Sequence, residues 1–256
     1  MYGAIIGDLA GSIYEYDQIK NCHGIETNNI IDDNSFYSDD TILTIAILDA
    51  IYNNKNYNFY LRKYIKDYIN YKPDFKPYFK NTFSPNLINW SRTNTIGTSH
   101  GNGAMMRISP VGYMFDKEKD VIANAKLATL PSHNSKEAID SATKIALIIY
   151  YLRKGKSLDE IYEKLNIELE YKPFTKFNTT CEETIGNILY ELYMSDSFED
   201  SIKRTLLMGG DTDTNCAIVG SMSEALYGID NELIEKVNSK LPNNFVKILK
   251  KSYEKR

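Results

Sequence analysis

Glycines recur every four residues at the start of the chain: Gly3, Gly7 and Gly11 in "MYGAIIGDLAGSIYE". On a helix that spacing leaves one stripe without side chains, so the backbone of a neighbouring helix can approach closely. Asp8, Ser12 and Glu15 follow the i, i+4, i+7 pattern and share another face. Those three residues fit a solvated polar face and a face turned to a cleft equally well.

Helical patterning dominates the rest. "DDTILTIAILDAIY" (39–52) opens with acidic and hydroxyl residues and then runs apolar, as a buried helix does. In 135–155, Ala138, Ala142, Ile145, Ala146, Ile149 and Leu152 fall at helical spacing, and Gly155 stands where a C′ glycine belongs. Ser157 with Glu160 fits a capping box, and Ser197 with Asp200 resembles another. Period-2 alternation is scarce, so the chain reads as all-α. Residues 70–103, with Pro73, Pro77 and Pro85, and residues 170–180 read as surface loops rather than linkers. No repeat of 20–50 residues is present.

Composition narrows the function. The chain has 256 residues, 43% hydrophobic, enough for a substantial core. A formal net charge of −4 argues against general nucleic-acid affinity. Cys22, Cys181 and Cys216 are widely spaced and odd in number, which points to free thiols in a reducing, cytoplasmic setting. The first residues lack the basic region of a signal peptide, and no apolar run is long enough to span a membrane.

Two short stretches concentrate charge. "GGDTDT" sets Asp211, Thr212, Asp213 and Thr214 after Gly209 and Gly210, directly before an apolar helix. "SDDT" sets Ser38, Asp39, Asp40 and Thr41 before another. A helix cap explains any one of these residues, because Asp and Thr oxygens accept from free N–H groups. Four in a row, twice, exceed what capping needs. Adjacent carboxylates repel, and a cation compensates; oxygen donors suit Mg²⁺, Mn²⁺ or Ca²⁺ rather than zinc. If the two starts face each other, they supply enough oxygens for two divalent ions. An EF-hand is excluded, because Cys216 and Met222 occupy the positions that need Gly and Glu. No GK[ST] phosphate loop exists.

Two further features accompany them. In "GTSHGNGAMMRISPVGY" (97–113) three glycines surround Asn102, so the backbone can approach a ligand, although a plain turn also fits. His133 precedes a helix in "LPSHNSKEA"; a lone histidine is more often structural.

These pieces, in this order, resemble the ADP-ribosylglycohydrolase family: "GAIIGDLAGSIYE", "SDDT", "GNGAMMRISPVGY", "SHNSKEA" and "GGDTDTNCAIVGSMSEALYG". The resemblance extends from residue 1 to about 230, with a divergent stretch between about 53 and 95. It implies a single multihelical domain over residues 1–256, about a dozen packed helices around a central dimetal cleft. It implies two divalent cations, Mg²⁺ or Mn²⁺, and hydrolysis of the bond at ribose C1″ of an ADP-ribosylated protein or small-molecule acceptor, with ADP-ribose as product. Nucleic acid would enter only as a modified substrate, and no membrane is involved.

Carried over by residue, Ser38, Asp39, Asp40 and Asp213 would hold one metal, and Asp211, Asp213 and Thr214 the other. Gly97, Thr98, Ser99, His100, Gly101, Asn102 and Gly103 would wrap the diphosphate and ribose, and His133 would touch the ligand. Glu15, Asp40 and Asp211 are the expected catalytic residues, with Glu15 or a metal-bound aspartate receiving a proton from water. Two positions depart from the family pattern: Ser38 stands for a usual Thr, and His100 for a usual aromatic. A non-catalytic ADP-ribose-binding or crystallin-like relative is the alternative. The acidic motif alone would also permit a metal-dependent phosphatase or nuclease.

Overall fold

Apolar residues at helical spacing, started by hydroxyl or acidic residues, become helices along most of the chain. The computed structural model describes residues 1–53, 55–73, 75 and 81–254. Its helices are α1 (Tyr2–Gln18), α2 (Asp39–Asn53), α3 (Tyr57–Tyr68), α4 (Pro85–Ser91), α5 (Gly103–Met106), α6 (Ser109–Met114) and α7 (Glu118–Thr129). There follow α8 (Lys136–Arg153), α9 (Leu158–Lys164), α10 (Cys181–Tyr193), α11 (Phe198–Met208), α12 (Thr212–Tyr227), α13 (Asn231–Asn238) and α14 (Asn243–Tyr253). Among the described residues extended pairing is limited to two isolated bridges, Thr98 with His133 and Gly101 with Thr180. The fold is all-α. No described helix is long and apolar enough to cross a membrane.

The glycine stripe sets the centre. A methyl carbon placed on Gly3 would stand 2.0 Å from the Gly220 carbonyl oxygen, and one on Gly7 2.0 Å from that of Cys216. At Gly11 it would meet the Thr212–Asp213 backbone at 2.3 Å. α1 and α12 therefore pack backbone against backbone, and Tyr2 to Ser12 and Thr212 to Ser223 are all buried. The Thr212 hydroxyl donates to the Gly11 carbonyl at 2.9 Å and fixes the register. The first turn of α12 is thereby held beside Ser12 and Glu15 of α1.

α2 lies on the same centre, buried from Asp40 to Leu48. Several helix starts behave as their sequences predict. Ser135, Ser157 and Ser197 cap α8, α9 and α11, and Ser157 with Glu160 forms the full capping box. The expectation of a continuous loop over 70–103 is corrected: α4 lies inside it. Ser84 accepts from the Leu87 N–H at 3.3 Å, and Pro85 occupies the first turn. There its missing N–H costs nothing, so the proline starts a helix rather than breaking one. Pro77 falls outside the described residues.

Candidate functional site

The two acidic helix starts meet. Asp8 of α1, Asp40 of α2 and Asp213 of α12 each offer a carboxylate oxygen, and these lie within 4.8 Å of one another. All three residues are buried. At that separation each pair of charges repels by about 3 kcal/mol at an effective dielectric constant of ~20. A helix cap is worth about 1 kcal/mol, so capping alone cannot account for three carboxylates held this way.

The hydrogen bonds separate the two tasks. Asp8 Oδ2 accepts from the N–H groups of Ser38 and Thr41 at 2.8 and 3.0 Å and from the Thr41 hydroxyl at 2.5 Å. α2 is thus capped partly from another helix. Ser12, which shares the face of Asp8 and Glu15, is buried rather than solvated and accepts from the Phe36 N–H at 3.2 Å. At α12, Asp211 sits in the N-cap position but its side chain makes no cap bond. It accepts instead from Asn102 Nδ2 at 2.7 Å, tying the glycine loop to the acidic cluster. The Ser38 hydroxyl donates to Asp40 Oδ2 at 3.0 Å. The Oδ1 atoms of Asp8 and Asp40 are buried without a hydrogen-bond partner among the described residues.

Burial, and then the charge of Asp213, push the Asp8 carboxyl up to about 7. The same two causes hold Asp39, Asp40 and Asp211 well above the ordinary carboxylate range, and burial raises Asp213. Buried carboxylates with unpartnered oxygens and an all-oxygen donor set fit a hard divalent cation.

Above this cluster opens a cleft of about 1140 Å³. Glu15, Asp39, Asp40, Asp211, Asp213 and Thr214 line it, together with Gly97 to Gly103 and His133. Ser38 does not reach the cleft surface. Asp39 is anchored by its own N–H, which donates to the Thr82 hydroxyl at 2.8 Å. Glu15 is half-buried on α1, and its charge adds to the pressure on Asp211. The opposite wall runs from Asn81 to Trp90 and includes α4.

The glycine loop is strung between two segments. Gly97 N–H donates to the Pro131 carbonyl at 2.9 Å, and a methyl carbon on Gly97 would stand 2.4 Å from the Ser132 carbonyl oxygen. At the other end Asn102 N–H donates to the Thr179 carbonyl at 3.0 Å, and Cys181 N–H to that of His100 at 3.0 Å. Thr98, Ser99 and His100 are exposed on it, whereas Asn102 is buried. His133 is buried beneath the loop.

Sequence reading passed over several residues that build the site. Asp8 had a signal, its spacing to Ser12 and Glu15, but was not assigned to the cluster. Asn178 had none, lying in the loop-like 170–180 stretch. Its Oδ1 accepts from the Asp211 N–H at 2.8 Å, and its Nδ2 donates to Thr184 and Asn215 at 2.7 and 2.9 Å. Gln18 Oε1 accepts from the Gly210 N–H at 2.9 Å. Gly209 and Gly210 take φ of 68° and 77°, as the tight turn requires.

Comparison with known proteins identifies the family and the fold. An ADP-ribosyl-[dinitrogen reductase] glycohydrolase from Rhodospirillum rubrum is 25% identical over 143 residues, 51% of this chain and 47% of that protein. The ADP-ribosylarginine hydrolase Tri1 of Serratia proteamaculans (strain 568) is 24% identical over 153 residues, 54% of this chain and 42% of that protein. Each match spans about half the length of the relative or less. A solved structure described as an ADP-ribosylglycohydrolase-related protein complex superposes with a TM-score of 0.66, covering 93% of this chain and 95% of that one at 15% identity, and shares the fold. The ADP-ribosylglycohydrolase family model matches residues 1–251, nearly the whole chain and every helix that meets at the acidic cleft, and the chain belongs to that family.

Proposed function

We propose that residues 1–256 form one domain that hydrolyses the bond between ribose C1″ and an ADP-ribosylated acceptor, protein or small molecule, and releases ADP-ribose. The observation that carries this reading is the buried Asp8–Asp40–Asp213 cluster, with its unpartnered oxygens, at the floor of a cleft bordered by a glycine loop. Ser38, Asp39, Asp40, Asp211, Asp213 and Thr214 would hold two divalent cations, Mg²⁺ or Mn²⁺, with Asp8 behind them. Bound there, the cations would supply positive charge and Lewis-acid polarisation beside the sugar.

The chain's own residues do the rest. Backbone groups of the Gly97–Gly103 loop bind the diphosphate, and Asn102 holds Asp211 in place through its 2.7 Å bond. Glu15, at the cleft wall near Asp211, accepts the proton of the attacking water. Water adds its oxygen to C1″ as the bond to the acceptor breaks, through an oxocarbenium-like state, and the proton taken up by Glu15 passes to the departing acceptor. The free state of Cys22, Cys181 and Cys216 accords with a cytoplasmic protein.

The test is a panel of defined ADP-ribosylated substrates, arginine-linked, serine-linked and O-acetyl among them, assayed for free ADP-ribose with and without Mg²⁺. Metal-dependent release from at least one supports the reading. Tight ADP-ribose binding without turnover on any of them returns the chain to a binding role.

A further inference from the structure

Among the described residues Arg107 is the largest side chain fully enclosed by the fold, at 1% exposure. Among the described residues no carboxylate forms an ion pair with it. Its Nη1 is buried without a hydrogen-bond partner. A buried guanidinium without a direct ion pair is costly; the nearby Asp39 charge offsets part of that cost, and the remaining contacts of Arg107 indicate its use. Nη2 donates to Ser132 Oγ at 2.7 Å and lies 3.3 Å from His133 Nδ1, while Ser132 Oγ is 2.8 Å from the same Nδ1.

A guanidinium has only donors to offer. Facing Arg107, both Ser132 Oγ and His133 Nδ1 must therefore present lone pairs. With its oxygen accepting from Arg107, the Ser132 hydroxyl hydrogen turns to Nδ1. The ring proton is then on Nε2. That atom points at the glycine loop: methyl carbons placed on Gly101 and Gly103 would stand 3.7 and 3.6 Å from it.

We propose that Arg107, acting through Ser132, is a positioning residue that locks His133 in its Nε2–H tautomer, so that the cleft offers a fixed hydrogen-bond donor to an acceptor oxygen of its ligand. Identification of that oxygen with a phosphate or ribose oxygen of ADP-ribose rests on the function proposed above. Burial and the Arg107 charge also hold the His133 imidazole well below its usual range, and His100 pushes the same way. A neutral ring donates from one nitrogen only, so the choice of tautomer decides whether the cleft meets a donor or an acceptor.

The chain has three histidines, His23, His100 and His133, so a long-range ¹H–¹⁵N correlation spectrum of the labelled full-length protein resolves each ring, with His133→Asn assigning the signal. The expected pattern is a protonated Nε2 and a bare Nδ1 on His133, unchanged between about pH 6 and 8. Arg107→Met and Ser132→Ala should each give averaged tautomer signals, and Arg107→Lys should restore the parent pattern. A bare Nε2 in the parent overturns the relay, and so does a fixed Nε2–H in both Ser132→Ala and Arg107→Met. If Arg107→Met does not fold, the parent and Ser132→Ala spectra decide. Calorimetry with ADP-ribose and Mg²⁺ should show binding weakened about 10-fold in Ser132→Ala, the scale of one lost hydrogen bond. A parent that binds no ADP-ribose removes the functional reading alone, since the spectrum decides the tautomer without a ligand.

Discussion

The starts of α8, α9 and α11 and the starts of α2 and α12 use similar residues for different ends. In the first group a serine hydroxyl accepts from the N–H three residues on, as at Ser135, Ser157 and Ser197, and the side chain's work is done. In the second group Asp211 makes no cap bond, α2 takes much of its cap from Asp8 on another helix, and carboxylate oxygens remain buried and unpartnered. The first group stabilises helices locally. The second stores repulsion that a cation would relieve. Polar residues at a helix start are thus sorted by where their oxygens are satisfied, not by residue type.

The largest effect should come from the second group. Asp40→Asn and Asp213→Asn are each expected to lower hydrolysis by about 10³-fold or more, since charge stabilisation by a metal amounts to several kcal/mol. Initial rates at saturating metal measure this, and near-parental rates would reduce both clusters to caps. The same variants should melt higher than the parent in EDTA, because each removes a buried repulsive charge. A cap variant should not.

Glu15→Gln should lower turnover by about 10²-fold, the scale of a general base, with ADP-ribose affinity changed far less. Unaltered turnover would make Glu15 a surface residue and shift the proton to Asp211.

The third expectation concerns metal and pH. Binding of Mg²⁺ or Mn²⁺ at a hundredfold excess over its Kd should stabilise the protein by about 2.7 kcal/mol, read from melting against EDTA. Without metal, Asp8 has a folded value of about 7, raised above the usual 3.8. The folded chain then binds more protons than the unfolded one between those values, so metal-free stability falls as pH rises from about 4 to about 7. Saturating metal should abolish that fall at neutral pH. A flat metal-free profile would remove the mutual repulsion on which the second group depends.

The smallest effect belongs to the first group. Ser157→Ala should cost about 1 kcal/mol, equally with and without metal, and leave turnover unchanged. A metal-dependent loss there would erase the distinction between the two kinds of helix start.

Much of this was legible in the chain because it is local. The apolar spacing of 39–52 and 135–155, the Ser157–Glu160 box and the close-approach stripe Gly3, Gly7 and Gly11 depend on neighbours three to four residues away, and each became the expected element. Family motifs marked both acidic starts and the glycine loop, and Asp39, Asp40, Asp211, Asp213, Thr214 and Gly97 to Gly103 line one cleft, whereas Ser38 does not. The stretch 70–103 misled because a proline reads as a breaker until its serine cap places it in a first turn.

What the sequence by itself determined was the helices, their glycine-stripped face and the kinds of oxygen available. Only the tertiary structure decided which oxygens are spent. Asp8 Oδ2 is satisfied from the start of α2, thirty residues away, while its Oδ1 is left over, and Asp211 Oδ2 is satisfied from Asn102, more than a hundred away. Asn178 and Arg107 acquire their roles from partners that no local pattern names. Hydrogen bonding and charge repulsion act over a few ångströms of space, whereas sequence patterns report only a few residues of chain. The chemistry of the site therefore became readable only when backbone contact between α1 and α12 brought those distant residues together.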